Sequence, residues 1–325
     1  MKKVISLMLV LTMILSFAVV ASAAEGDVAA KLDKNVVVPK TYVVNNGTAP
    51  AEIFTFVFEG ISYKNGDGEL VAGAVIPEIA PVTISFDALT ATASKTVEFA
   101  IDPDDYQLGV YTYKVTEVTP VPQTTGVTYS DEELYLVLTI LRDEESNKHY
   151  VAAMHYESAV GTDKSSGFTN EYDAGDVIIT KEITGNMADM DKEFTFTVEF
   201  TVPAGTVAKS AVVVNVAGTS EIIVLDAETK TITFTLGDGE TATITNIPAG
   251  VTYTVTEDKE NYTQIIVNEG DGIITGGDKD LYAFTNDLES EVDTGISMDS
   301  MPYILMLAVA VIGAVAIMGK KRYEV

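Results

Sequence analysis

Gly109-Val110-Tyr111-Thr112-Tyr113-Lys114-Val115-Thr116-Glu117 has a near copy in Gly250-Val251-Thr252-Tyr253-Thr254-Val255-Thr256-Glu257. Both stretches are rich in β-branched and aromatic residues, start at a glycine and lack helical periodicity, so each reads as a strand. Side chains two apart in a strand share a face. Tyr111, Tyr113, Val115 and Glu117 therefore line up, as do Tyr253, Val255 and Glu257. A carboxylate ends the apolar face of both copies.

Further matches surround these strands. Phe54-Thr55-Phe56-Val57-Phe58-Glu59 stands 63 positions before Glu117 when counted from Phe54, and Phe194-Thr195-Phe196-Thr197-Val198-Glu199 stands 63 before Glu257 when counted from Phe194. Phe168-Thr169-Asn170 and Phe284-Thr285-Asn286 close the two halves. Order and spacing kept in this way imply two copies of one fold. Short apolar runs separated by Asn46-Gly47, Asn65-Gly66-Asp67-Gly68 and Gly237-Asp238-Gly239 turns make that fold an all-β sandwich or barrel. The halves join near Tyr172 to Gly175.

Parity places two more polar residues on each apolar face. Val36, Val38, Lys40, Tyr42 and Val44 share a side, as do Val177, Ile179, Lys181 and Ile183, and Asn170 and Asn286 follow Phe168 and Phe284 at spacing two. Lysine and glutamate are seldom buried unpaired, because an isolated charge in an apolar interior is very costly. A buried Lys–Glu ion pair beside a bystander Asn, or strand ends that reach solvent, would account for the pattern. Amide cross-linking accounts for all three residues together. A dry site favours the neutral amine and the neutral carboxylic acid, so lysine can attack the Asn side-chain carbonyl while the acid polarises it and relays protons as ammonia leaves. The expected bonds are Lys40–Asn170 and Lys181–Asn286, promoted by Glu117 and Glu257. Lys34 shares parity with Lys40, but Lys40 precedes Phe54 by 14 positions, close to the 13 from Lys181 to Phe194. Each reaction occurs once and alters the chain itself, so no turnover enzyme is implied.

The ends of the chain carry different signals. Lys2 and Lys3, the apolar run Val4 to Val20 and Ala21-Ser22-Ala23 read as a secretory signal peptide over residues 1–23. Near the other end, Met301 to Met318 is an apolar run followed by Gly319-Lys320-Lys321-Arg322, the pattern of a membrane-retained segment. Glu291-Val292-Asp293-Thr294-Gly295 precedes that run, and the three parts together resemble a sortase sorting signal over 291–325; an ordinary membrane anchor is the plainer reading.

The formal charge is −28, which excludes the basic footprint that nucleic-acid binding requires. No cysteine is present, so disulfides cannot staple this exported chain. Asp131-Glu132-Glu133 and Asp102-Pro103-Asp104-Asp105 lack the order of a calcium loop, and His149 and His155 are the only histidines. Neither a metal nor a cofactor is expected.

Lysine ahead of F-T-F, then Y-x-V-x-E, then F-T-N, twice over, resembles the streptococcal-type major pilins of Gram-positive bacteria. The resemblance implies two tandem Ig-like (CnaB-type) β-sandwich domains, over 25–172 and 173–290. It implies the structural backbone subunit of a sortase-assembled cell-wall pilus, cleaved between Thr294 and Gly295, with Asp293 standing where such pilins carry proline. It also implies an acceptor lysine shortly before the first F-T-N, at Lys164 in the Gly161–Gly167 loop. Expected partners are sortase, neighbouring copies of the chain, peptidoglycan and, for an adhesive protein, a host surface receptor. A wall-anchored monomeric adhesin would share every feature except polymerisation.

Overall fold

The computed structural model describes residues 35–268, 270, 272–290, 306–307 and 309–310. The signal peptide, Lys34, Thr294, Gly295 and the basic tail lie outside the described residues. Among the described residues no helix is long and apolar enough to cross a membrane.

The first half opens with β1 (Asn35–Val44), β2 (Glu52–Asn65), β3 (Val82–Phe86), β4 (Ala93–Ala100) and β5 (Gly109–Val118). Two short segments follow, β6 (Gln123–Thr124) and β7 (Val127–Thr128), and then β8 (Glu133–Arg142), β9 (His149–Glu157) and β10 (Phe168–Tyr172). A four-stranded sheet in the order β4-β1-β10-β7 faces a five-stranded sheet in the order β3-β2-β5-β8-β9. Strict alternation builds the layer between them. Val36, Val38 and Tyr42 point inward from β1, Phe54 and Phe56 from β2, and Leu134, Leu136, Leu138 and Ile140 from β8.

After the single residue Asp173 the second half begins with β11 (Ala174–Thr184), β12 (Phe194–Thr201), β13 (Thr206–Val207), β14 (Ala211–Val216) and β15 (Thr219–Val224). It continues with β16 (Thr229–Leu236), β17 (Thr241–Pro248), β18 (Thr252–Glu257), β19 (Thr263–Asn268) and β20 (Lys279–Asp287). Its sheets run β15-β14-β17-β11-β20-β19 and β16-β12-β18. Phe194, Phe196, Val198 and Phe200 of β12 are buried against Val177, Ile179 and Phe284 of the other sheet.

In both halves the first strand pairs in parallel with the last, β1 with β10 and β11 with β20. The registers agree. Lys40 lies opposite Phe168 with Asn170 two positions on, and Lys181 lies opposite Phe284 with Asn286 two positions on. Antiparallel pairing sets Phe56 opposite Glu117 and Phe196 opposite Glu257. Gly167 makes the approach to β10 possible: its φ is +116°, and a Cβ there would lie 2.5 Å from the Pro39 carbonyl oxygen.

Polar contacts join the halves. β6 pairs with β13 across the boundary. The Thr125 and Thr206 hydroxyls lie 2.7 Å apart, as do those of Tyr172 and Ser210, and Lys209 reaches buried Glu52 at 2.9 Å. Asn246 is at the centre, in a left-handed conformation (φ +62°) that asparagine tolerates better than most residues. Its Oδ1 accepts from the Thr48 N–H at 2.7 Å, and its Nδ2 donates to the Ala211 and Thr48 carbonyls at 2.8 and 3.2 Å. Asn246→Ala removes these part-buried backbone contacts and adds left-handed strain. It should lower unfolding stability by about 1–3 kcal/mol, read as an earlier urea midpoint together with faster hydrogen exchange at the Thr48 amide; an unchanged midpoint and exchange rate would contradict the assignment.

Candidate functional site

The first site lies between the two sheets of the first half. β1 delivers Lys40, β5 delivers Glu117 and β10 delivers Asn170, and at most 8% of any of them is exposed. Lys40 Nζ donates to Glu117 Oε2 at 2.7 Å. Asn170 Nδ2 donates to the other carboxylate oxygen, Oε1, in a very short hydrogen bond. The Ser130 backbone N–H donates to Asn170 Oδ1 at 2.8 Å, which fixes which way the side-chain amide faces, since an N–H can only donate. Phe54 floors the amine, its ring centroid 4.5 Å from Nζ.

The second site repeats this arrangement with different supports. Lys181 Nζ is 2.9 Å from Glu257 Oε1, an ion-pair contact with neither side chain exposed. Asn286 Nδ2 donates to the same oxygen at 3.1 Å. Phe194 lies 4.3 Å from the lysine nitrogen, in the place that Phe54 fills in the first site. Gln264 Nε2 donates to Glu257 Oε2, while Asn286 Oδ1 finds no hydrogen-bond partner among the described residues.

Burial drives both lysines from the usual 10.5 down to about 8, because the apolar interior penalises the ammonium more than the neighbouring carboxylate supports it. Near neutral pH that shift multiplies the neutral, nucleophilic amine about 300-fold. In both sites the amine and the asparagine amide meet on one carboxylate. Glu117 accepts from both; Glu257 accepts from Asn286 and lies in ion-pair contact with Lys181, so each carboxylate stands next to both nitrogens. This differs from the expected acid that polarises the asparagine carbonyl. In the first site the donor to that carbonyl oxygen is instead the Ser130 backbone N–H.

Strand parity brought Lys40, Glu117, Asn170, Lys181, Glu257 and Asn286 to notice, and the structure gathers them into two trios. Ser130 and Gln264 gave no comparable signal. Ser130 acts through its backbone, and Gln264 has no counterpart at the matching position of the first repeat. Lys164 is exposed on the loop between β9 and β10, in an isolated bridge with Glu157. Among the described residues no cluster of three His, Cys, Asp or Glu side chains is placed to hold a metal.

Comparison with known proteins follows the same division. Residues 36–173 match a family described as "Spy0128-like isopeptide containing domain", and residues 175–288 match a domain of unknown function, DUF7601. The chain is 31% identical to a pilin of Streptococcus pyogenes serotype M1, over 93% of this chain and 95% of that protein. The crystal structure of the major pilin from Streptococcus pyogenes covers 79% of this chain and 99% of its own, with a TM-score of 0.54 and 23% identity. The T3.2 major pilin of serotype GAS13637 covers 78% and 98%, with a TM-score of 0.52 and 21% identity. These two structural likenesses are likenesses of fold.

Proposed function

The chain belongs to the family of pilins with Spy0128-like isopeptide containing domains, and we propose that its buried trios close into Lys40–Asn170 and Lys181–Asn286 amide bonds within the backbone subunit of a surface pilus. The observation that carries the reading is the repeated one: a buried lysine and an asparagine amide share one carboxylate, in the same strand register, in both halves. In the reaction the neutral lysine Nζ bonds to the asparagine Cγ, and the Cγ–Nδ2 bond breaks. One proton passes from Nζ by way of the carboxylate to Nδ2, which leaves as ammonia. The product amide is neutral, so the reaction removes a buried ammonium that is costly to keep. Like a disulfide that closes a long loop, each bond should add about 2–5 kcal/mol by restricting the unfolded chain.

Relatives matched along their whole length are pilins, which favours a polymerising subunit over a monomeric adhesin. We assign sortase processing to the Thr294–Gly295 step and the acceptor role to Lys164, whose exposure and loop position suit attack on an enzyme-bound thioester. Peptidoglycan would then hold the base of the polymer.

Intact mass of the region from residue 25 to residue 294 should be short by two ammonias. Glu117→Gln and Glu117→Ala should each restore one, and Glu257→Gln the other; an unmodified wild-type mass would end the cross-linking reading. The pH dependence has a defined sign. Because the amine must be neutral and its folded value is about 8, bond formation should accelerate as pH rises through about 8 and then level off. Rapid dilution of denatured, unlinked chain into buffers from about pH 6 to about 9, followed by time-resolved mass, measures this, and a flat or falling profile would contradict the carboxylate-as-base mechanism. In the native host, Lys164→Arg should abolish the high-molecular-weight ladder on a blot of wall extracts, since Arg keeps the charge but forms no such amide. A surviving ladder assigns the acceptor elsewhere, and a wild type without any ladder returns the protein to the monomeric class.

A further inference from the structure

The two trios are alike, but the strand beside each asparagine serves them differently. In the first half β7 pairs with β10 only at Glu171–Thr128 and Tyr172–Val127. The chain then leaves the ladder, so the Ser130 N–H is available to turn inward onto Asn170 Oδ1. In the second half β19 stays paired with β20 from Thr263–Asp287 to Asn268–Tyr282. Its backbone keeps to the strand, and Asn286 Oδ1 receives no donor among the described residues. Gln264 lies directly opposite Asn286 in that ladder, and directly opposed residues of an antiparallel pair project to the same face.

The carboxylates also divide their work differently. Glu117 uses Oε2 for Lys40 and Oε1 for Asn170. Glu257 turns Oε1 to both Lys181 and Asn286, while Oε2 is occupied by Gln264. Oε1 is the oxygen that lies beside both nitrogens, 2.9 Å from Lys181 Nζ and 3.1 Å from Asn286 Nδ2, so it is the one placed to carry a proton between them.

We infer that Gln264 is a positioning residue for the second cross-link: its side-chain amide holds Glu257 Oε2, so that the single oxygen Oε1 takes the proton from Lys181 Nζ and returns it to the departing Nδ2 of Asn286. This rests on the cross-linking reading above. The step balances within the site, since Nζ–Cγ forms, Cγ–Nδ2 breaks and one proton moves from Nζ to Nδ2. The second site thus gains by fixing its base what it lacks in a donor to the asparagine carbonyl.

The test uses the chain's own first site as an internal clock. Unlinked wild type, Gln264→Met and Gln264→Glu are diluted from denaturant, sampled over time, quenched in acid and digested. The ammonia loss is then read separately for the Lys40–Asn170 and Lys181–Asn286 peptides. Gln264→Met keeps length and packing but has no donor, so the second bond should form at least about tenfold more slowly at every pH while the first keeps its wild-type rate. Gln264→Glu adds a carboxylate that can donate to Glu257 only while it holds a proton. Its deficit should therefore shrink towards about pH 6 and grow towards about pH 9, a pH signature that a packing role would not produce. Second-site closure at the wild-type rate in Gln264→Met, or a pH-independent deficit in Gln264→Glu, overturns the inference and leaves the cross-linking reading intact. Absence of ammonia loss from both sites of the wild type overturns both.

Discussion

The structure turns on a lysine nitrogen held out of water between a carboxylate and a side-chain amide. Burying Lys40 or Lys181 costs several kcal/mol unless the charge is paired, and both are paired within 3 Å. That cost has a use. The same desolvation that disfavours the ammonium raises the share of neutral amine, and the partner that compensates it is the base that the proposed reaction needs. Each aromatic floor, Phe54 or Phe194, excludes water and fixes the height of the amine above the sheet.

The topology gives such a bond its mechanical value. In each half the first and last strands lie side by side and parallel, so tension between the ends draws β1 and β10, or β11 and β20, in opposite directions along their length. The proposed bond from Lys40 to Asn170 would bridge those two strands within two positions of register, and the load would pass along it without opening the remaining sheets. Since a single residue, Asp173, separates β10 from β11, the path runs from one half to the other with almost no slack. The contacts of Asn246, Tyr172 and Lys209 keep that junction from acting as a hinge.

The two halves reached one geometry by different local means. What is common to both is the register of four strands and the identity of five side chains, counting the Phe opposite each Glu and the Phe beneath each Lys. What differs is the strand that flanks the asparagine, a brief pairing in one half and a six-residue ladder in the other. A backbone N–H can serve a reaction only where the ladder releases it, so the length of this strand decides whether a donor to the asparagine carbonyl is available.

Much of this was legible in the sequence. Period-two alternation identified the strands and their inward faces, since a pleated backbone leaves no choice about which residues share a side. The repeat from Phe54 to Glu117 and from Phe194 to Glu257 fixed two copies of one fold, and parity alone set Lys40, Glu117 and Asn170 among apolar neighbours. Alternation says which face a residue occupies, but not which strand lies beside it. The parallel pairing of first with last strands, the orientation of the asparagine amides, the Ser130 donor, the Gln264 contact and the polar junction at Asn246 all depend on groups far apart in the chain. They were decided only when two sheets closed on each other, because hydrogen-bond direction is a property of the packed pair and not of either strand.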